Sequence, residues 1–179
     1  IPVARSSTWD DMIVSKRTND ALTEIVSFVR NREKIVTDWG FGGKVAYGRG
    51  VAALFYGAPG TGKTMAAGCI GVDLGMEVFQ IDLSKIVDKY IGETEKNLGR
   101  VFEEGSRAQA ILLFDEADSL FSKRTQVKSS TDRYANLEVN FLLQMIESYE
   151  GISILTSNFP ESIDDAFKRR IRFKVEFPF

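Results

Sequence analysis

Gly57-Ala58-Pro59-Gly60-Thr61-Gly62-Lys63-Thr64 satisfies the pattern G-x-x-x-x-G-K-[ST] and stands between an apolar run, Val51 to Tyr56, and a stretch with helical spacing, Lys63 to Leu74. A strand, a glycine loop and a helix in that order are the context that gives the pattern its meaning. Glycines let the loop curl until several backbone N–H groups point at phosphate oxygens, and the helix brings its positive end to the same place. Lys63 supplies a point charge for the β- and γ-phosphates, and Thr64 offers a hydroxyl to Mg²⁺. Together with Met65 in the first helical turn, these residues are the nucleotide-binding set. A bare glycine-rich turn is the competing reading, and the second motif argues against it.

That second motif is Ile111-Leu112-Leu113-Phe114-Asp115-Glu116, a buried-strand pattern that ends in two carboxylates. Open α/β sheets place their ligands at strand C-termini. Asp115 is suited to hold Mg²⁺, a hard ion that prefers oxygen ligands, and Glu116 to polarise the water that attacks a γ-phosphate. By itself an acidic pair at a strand end reads as a solvated turn; beside the phosphate loop the chemical reading prevails. Asp118 reads either as a support behind the site's acids or as a helix N-cap, the structural reading being favoured.

Outward from these motifs, short β-rich runs alternate with longer segments at helical spacing, the signature of an α/β fold with a mostly parallel sheet. The spacing predicts helices over Asn19 to Val36, Lys63 to Leu74, Thr94 to Ala108 and about Tyr134 to Tyr149, with a short one near Ile163 to Lys168. Strands are predicted at Val51 to Tyr56, Glu77 to Asp82, Ala110 to Asp115, Ile152 to Thr156 and Phe173 to Phe177. A glycine-rich connector, Trp39 to Gly50, divides an N-terminal arm (1–50) from the α/β core (51–179).

The chain has 179 residues, 44% hydrophobic and 27% charged, which are globular values sufficient for one domain. No uninterrupted apolar stretch of about 18 residues exists to cross a bilayer. Lys+Arg 23 against Asp+Glu 25 gives a net charge of -2, which argues against nucleic acid as the partner. With no His and one Cys, Cys69, the Ser-His, Cys-His and common zinc chemistries are excluded by inventory, and a reducing, cytoplasmic setting fits. The chain starts at Ile1 without Met and stops just after a strand, so it is expected to be a piece of something longer.

Taken together, these residues resemble the AAA+ ATPases, within them the AAA clade of protein remodellers, with the principal motifs in order from about Trp9 to Phe177. The resemblance implies a P-loop NTPase fold, a five-stranded parallel sheet in the order 5-1-4-3-2, and ATP and Mg²⁺ as ligands. It also implies homo-oligomeric hexameric rings with ATP between subunits and a protein substrate. Within the clade the likeness is to ATPases encoded beside bacterial phage-tail-like contractile injection systems, carried by Tyr90-Ile91-Gly92-Glu93-Thr94-Glu95-Lys96-Asn97-Leu98, Asp132-Arg133-Tyr134-Ala135-Asn136 and Arg169-Arg170-Ile171-Arg172-Phe173.

Position by position, Thr156-Ser157-Asn158 resembles the sensor-1 strand end, where Asn158 contacts the γ-phosphate or the attacking water. Arg169 and Arg172, three apart, resemble the paired arginine fingers that reach a neighbouring subunit's phosphate, worth roughly 10³ to 10⁵ in rate. The local pattern departs from the usual Arg-Pro-Gly-Arg-Phe-Asp, so Arg170 could replace one partner and the assignment within the trio is open. Lys89-Tyr90-Ile91-Gly92 resembles the first pore loop, whose aromatic ring grips a threaded polypeptide. Phe121 to Arg133, rich in Lys, Arg, Ser and Thr, reads either as a second pore-facing loop or as a solvated charged loop. Asp11, Met12 and Ile13 correspond to the family's adenine-contacting Asp-Ile-Gly segment, with the glycine missing. Nothing after Phe179 corresponds to the family's helical lid and sensor-2 residue, so weak hydrolysis is expected of these residues alone.

The leading reading is therefore Mg²⁺-dependent ATP hydrolysis that drives remodelling or threading of protein. The alternatives are a DNA- or RNA-associated AAA+ loader and a nucleotide-gated adaptor without sustained turnover. Asp115-Glu116-Ala117-Asp118 spells the helicase tetrapeptide, but such helicases need a second nucleotide-binding domain that 179 residues do not hold. The lack of an Asn-Lys-x-Asp motif disfavours GTP.

Overall fold

The computed structural model describes residues 7–38, 50–86, 92–121 and 131–179. Five strands, β1 (Val51–Gly57), β2 (Val78–Asp82), β3 (Ile111–Asp115), β4 (Ile152–Ser157) and β5 (Phe173–Phe177), form one parallel sheet in the order β2-β3-β4-β1-β5. This is the expected order 5-1-4-3-2 read from the other edge. The helices are α1 (Lys16–Asp38), α2 (Lys63–Leu74), α3 (Leu83–Ile86), α4 (Glu93–Ala108), α5 (Asp118–Phe121), α6 (Thr131–Ser148) and α7 (Asp165–Arg170), with 3-10 turns at Trp9–Asp11 and Pro160–Ser162.

A strand flanked by neighbours on both edges and helices on both faces carries apolar side chains on both sides. β4, at the centre, is buried at every position, including Ser153, Thr156 and Ser157. Successive residues point to opposite faces and so feed two cores. On one face Leu54, Leu112, Phe114 and Leu155 meet Leu98 and Phe102 of α4 and Leu142 and Ile146 of α6. On the other, Ala53, Phe55, Leu113 and Ile154 meet Ala66, Ala67 and Ile70 of α2 and Leu22, Ile25, Val26 and Val29 of α1. Each of those Val, Leu and Ile side chains contributes about 1.5–3 kcal/mol by leaving water, so α1 is held by the same core as the strands.

α1 starts three residues earlier than its apolar spacing predicts, because Ser15 Oγ accepts from the Thr18 backbone N–H (3.2 Å) and caps the helix. Thr18 Oγ1 in turn donates to the Glu176 carbonyl (2.7 Å), tying α1 to the edge strand β5. The short elements α3 and α5 and the two 3-10 turns have no periodicity to be read and are absent from the sequence prediction.

The strand order brings Asp115, Ser157 and Gly57, the last residues of β3, β4 and β1, side by side at the C-terminal edge of the sheet.

Candidate functional site

Gly57 ends β1 at φ 151°, and a Cβ there would stand 2.2 Å from the Phe177 carbonyl oxygen of β5, so the strand can only end in glycine. Gly60 (φ 77°) and Gly62 (φ 95°) also lie in the left-handed region, but a Cβ at either would meet nothing within 4 Å. There the conformation selects glycine and the space beside the loop stays open. Thr61 Oγ1 closes the curl by donating to the Ala58 carbonyl (2.7 Å).

Lys63 opens α2 and is only 8% exposed; its Nζ donates to the Gly57 and Ala58 carbonyls (2.7 and 2.8 Å). Burial pulls its pKa below the ordinary lysine value, while the negative charges of Asp115 and Asp118 act to raise it. Lys63 and the carboxylates of Asp115 and Asp118 therefore share one local field. Thr64 is half-buried behind it, and Met65 is largely exposed.

Asp115 is held from two strands. Gln80 Nε2 of β2 donates to its Oδ2 (3.0 Å), Thr156 Oγ1 of β4 donates to its Oδ1, and the Glu116 N–H adds a bond to Oδ1 (3.2 Å). A carboxylate offers about four lone-pair sites, so one remains. Glu116 is exposed and sits at φ 57°, the left-handed region that costs a non-glycine residue energy. Thr156 stabilises it there: its Oγ1 accepts from Glu116 N–H (3.3 Å), and its carbonyl accepts from Ala117 N–H (3.0 Å). Gln80 escaped the sequence reading, and Thr156 entered it only within the sensor-1 triplet, not as a partner of Asp115. The polar residue inside each strand was the available signal, but its partner is known only once the strand order is.

Asp118 is the first residue of α5. Its carboxylate reaches across to the end of β4, accepting from Ser157 Oγ (2.6 Å), Ser162 Oγ (3.0 Å) and the Asn158 backbone N–H (2.8 Å). It is thus structural, as read, but it organises the β4–α7 connection rather than its own helix. Asn158 itself is half-buried beside this cluster, and among the described residues its side-chain amide makes no hydrogen bond.

The arginine trio splits three ways. Arg169 is exposed at the end of α7 and has no hydrogen-bond or ion-pair partner among the described residues, whereas Arg170 Nε lies 3.9 Å from Glu147 of α6. Arg172 stacks its guanidinium over the Phe28 ring of α1, 4.2 Å from the centroid.

In the arm, Asp11 turns its carboxylate back on Thr8, accepting from its N–H (2.9 Å) and Oγ1 (3.1 Å), bonds that hold its pKa below the ordinary aspartate value. Met12 is half-buried against the α1–α2 core and Ile13 is 99% exposed. Trp9 Nε1 donates to Asp73 Oδ2 (2.8 Å), and Arg30 pairs with the same carboxylate, fastening the arm along α2. Lys89, Tyr90 and Ile91 lie outside the described residues, as does 122–130 of the second loop.

The donor set fits a magnesium nucleotide. Asp115 and Thr64 offer hard oxygens, Lys63 offers a desolvated charge, and open space borders Gly60 and Gly62 where a side chain would otherwise stand.

Residues 53–179 match the profile described as "ATPase family associated with various cellular activities (AAA)". The chain is 39% identical over 130 residues to "ATPase family gene 2 protein" of Schizosaccharomyces pombe, covering 72% of this chain and 16% of that protein. It is 31% identical over 177 residues to "Peroxisomal ATPase PEX6" of Candida glabrata, covering 96% of this chain and 17% of that one. The crystal structure of the FIGL-1 AAA domain superimposes with a TM-score of 0.71 at 26% identity, over 99% of this chain and 57% of that chain. These residues thus span about a sixth of the length of the two relatives. On the strength of the profile match and of the site it covers, this chain belongs to the AAA ATPase family.

Proposed function

We propose that this chain binds ATP with Mg²⁺ at the 57–64 loop and hydrolyses it, and that turnover drives remodelling or threading of a protein substrate by a cytoplasmic homo-oligomeric ring. The observation that carries the reading is Lys63, buried against its own loop's carbonyls and within the field of Asp115 and Asp118. A triphosphate is the ligand that suits a desolvated cation set in a glycine loop at a helix N-terminus.

In this reading Gly60, Thr61 and Gly62 present backbone amides to the phosphates, and Lys63 neutralises charge on the β- and γ-phosphates. Thr64 and Asp115 would hold Mg²⁺, which would offset charge on the phosphate oxygens. Glu116, exposed and fixed in the left-handed conformation, accepts the proton of the attacking water. Asn158 orients that water or the γ-phosphate with an amide that does not titrate. ATP and water give ADP and phosphate. Arg169, free at the end of α7, is the residue of the trio best placed to serve a neighbouring subunit's site; Arg172 would first have to leave Phe28, and Arg170 Glu147. The segments at 90–98, 132–136 and 169–173 extend the proposal to a bacterial ATPase serving a contractile injection system, which the genes beside its own would test.

Glu116→Gln is expected to retain ATP while turnover stops; sustained hydrolysis by that variant would assign the water to another residue. The ATPase rate per subunit should rise with protein concentration as rings form. A rate independent of concentration down to clear monomer removes the inter-subunit arginine.

A further inference from the structure

We propose that Asp118 is a positioning residue for the ATPase reaction: its carboxylate sets the height and orientation of Asn158 by clamping both ends of the connection that carries it. The proposal rests on the ATPase reading above. One carboxylate collects three donors from that connection. Oδ1 takes the Ser157 hydroxyl (2.6 Å) and shares the Ser162 hydroxyl (3.0 Å) with the Phe159 carbonyl (2.7 Å), and Oδ2 takes the Asn158 N–H (2.8 Å). The Phe159 N–H, donating to Ser157 Oγ (3.1 Å), draws the next residue into the same cluster.

Hydrogen bonds to an ionised acceptor are about twice as strong as neutral ones. The segment's 3-10 turn is held internally by Ser162 N–H to the Phe159 carbonyl (2.9 Å) and Ile163 N–H to the Pro160 carbonyl (3.3 Å), bonds that shape the turn, whereas the Asp118 carboxylate ties it to α5. Beyond Ser162 the chain runs through the Asp164 N-cap (Ala166 N–H to Oδ1, 3.0 Å) into α7 and so to Arg169. The shared tie at Ser162 stands two residues ahead of that N-cap. Asp118 also acts on Lys63 electrostatically, so the clamp and the 57–64 loop share one field. Sequence alone could not show this: Asp118 lies 39 to 44 positions from its three partners.

The test is Asp118→Asn, which keeps the shape and one acceptor oxygen but cannot satisfy both sets of donors. The first readout is backbone amide exchange across 157–162 in the nucleotide-free protein. Exchange at Asn158 is expected to rise about tenfold, the loss of one charge-assisted bond. The second is kinetic: kcat is expected to fall about tenfold with KM for ATP changed less than about threefold. The third is coupling: in an Asn158→Ala background, Asp118→Asn should cost little further kcat, because the group it positions is gone. Ser162→Ala, which removes one donor and leaves the carboxylate, should repeat the pattern at smaller amplitude and serves where Asp118→Asn does not fold. Unchanged exchange at Asn158, or a kcat loss of equal size in the Asn158→Ala background, overturns the proposal. An Asn158 exchange response in a protein that shows no ATP binding would instead overturn the ATPase reading and leave the clamp standing as a structural device.

Discussion

Thr156→Val removes one hydroxyl and nothing else of consequence, since valine has the same shape. Thr156 is 2% exposed; its Oγ1 donates to Asp115 and accepts from Glu116 N–H at 3.3 Å. Losing a bond to a charged acceptor costs about 1.5–3 kcal/mol, and the added buried methyl returns about 0.8 kcal/mol. The net loss should be about 1–2 kcal/mol, or about 2–8 °C in Tm for a chain of this size. The same hydroxyl helps hold Glu116 at φ 57°, a conformation that costs about 1–2 kcal/mol when unsupported. With the support weakened, Glu116 relaxes and kcat should fall about 5- to 30-fold, while ATP binding, proposed for the 57–64 loop, should change less than about threefold. Urea denaturation, equilibrium titration with a fluorescent ATP analogue and steady-state hydrolysis measure the three quantities. A fall in stability with kcat untouched would refute the claim that Thr156 places Glu116, and unchanged stability would refute the bond itself.

Tyr149, 7% exposed, donates its hydroxyl to the Ala110 carbonyl (2.5 Å), and burial raises its pKa to about 12. The folded state then holds a proton that the unfolded chain releases near pH 10, so this contribution is full below pH 10 and is lost as pH rises through about 12. Tyr149→Phe should be less stable at pH 7 by about 1–2 kcal/mol, and the gap to the parent protein should narrow from pH 10 upward; a gap constant with pH contradicts this. For the arginines, Arg172→Ala should cost about 0.5–1 kcal/mol through loss of its stack on Phe28, whereas Arg169→Ala should leave the melting curve in place and lower the ATPase of the proposed ring. Equal effects of both variants on stability would remove the distinction between them.

What the sequence reveals here is whatever is local in the chain. The phosphate loop is legible because glycine conformation, lysine charge and helix start fall within eight consecutive positions, and Asp115-Glu116 because two acids directly follow four buried apolar residues. The five strands are legible from composition, and their parallel order follows from the resemblance rather than from the residues. The supports of the site are not legible: Gln80 and Thr156 meet Asp115 from positions 35 and 41 residues away. The Trp9–Asp73 bond spans 64 residues and is equally hidden in the linear text. Arg172 has the spacing of the paired fingers and also stacks on Phe28 of α1, a contact that the linear text does not show.

The central claim is that Lys63 and the surrounding glycine amides hold a magnesium nucleotide. Isothermal titration with a non-hydrolysable ATP analogue in the presence of magnesium, on the parent protein and on Lys63→Ala, tests it most directly. The account predicts saturable binding of one nucleotide per chain that Lys63→Ala abolishes without unfolding the protein. No heat from the folded parent, or binding indifferent to Lys63→Ala, would contradict it.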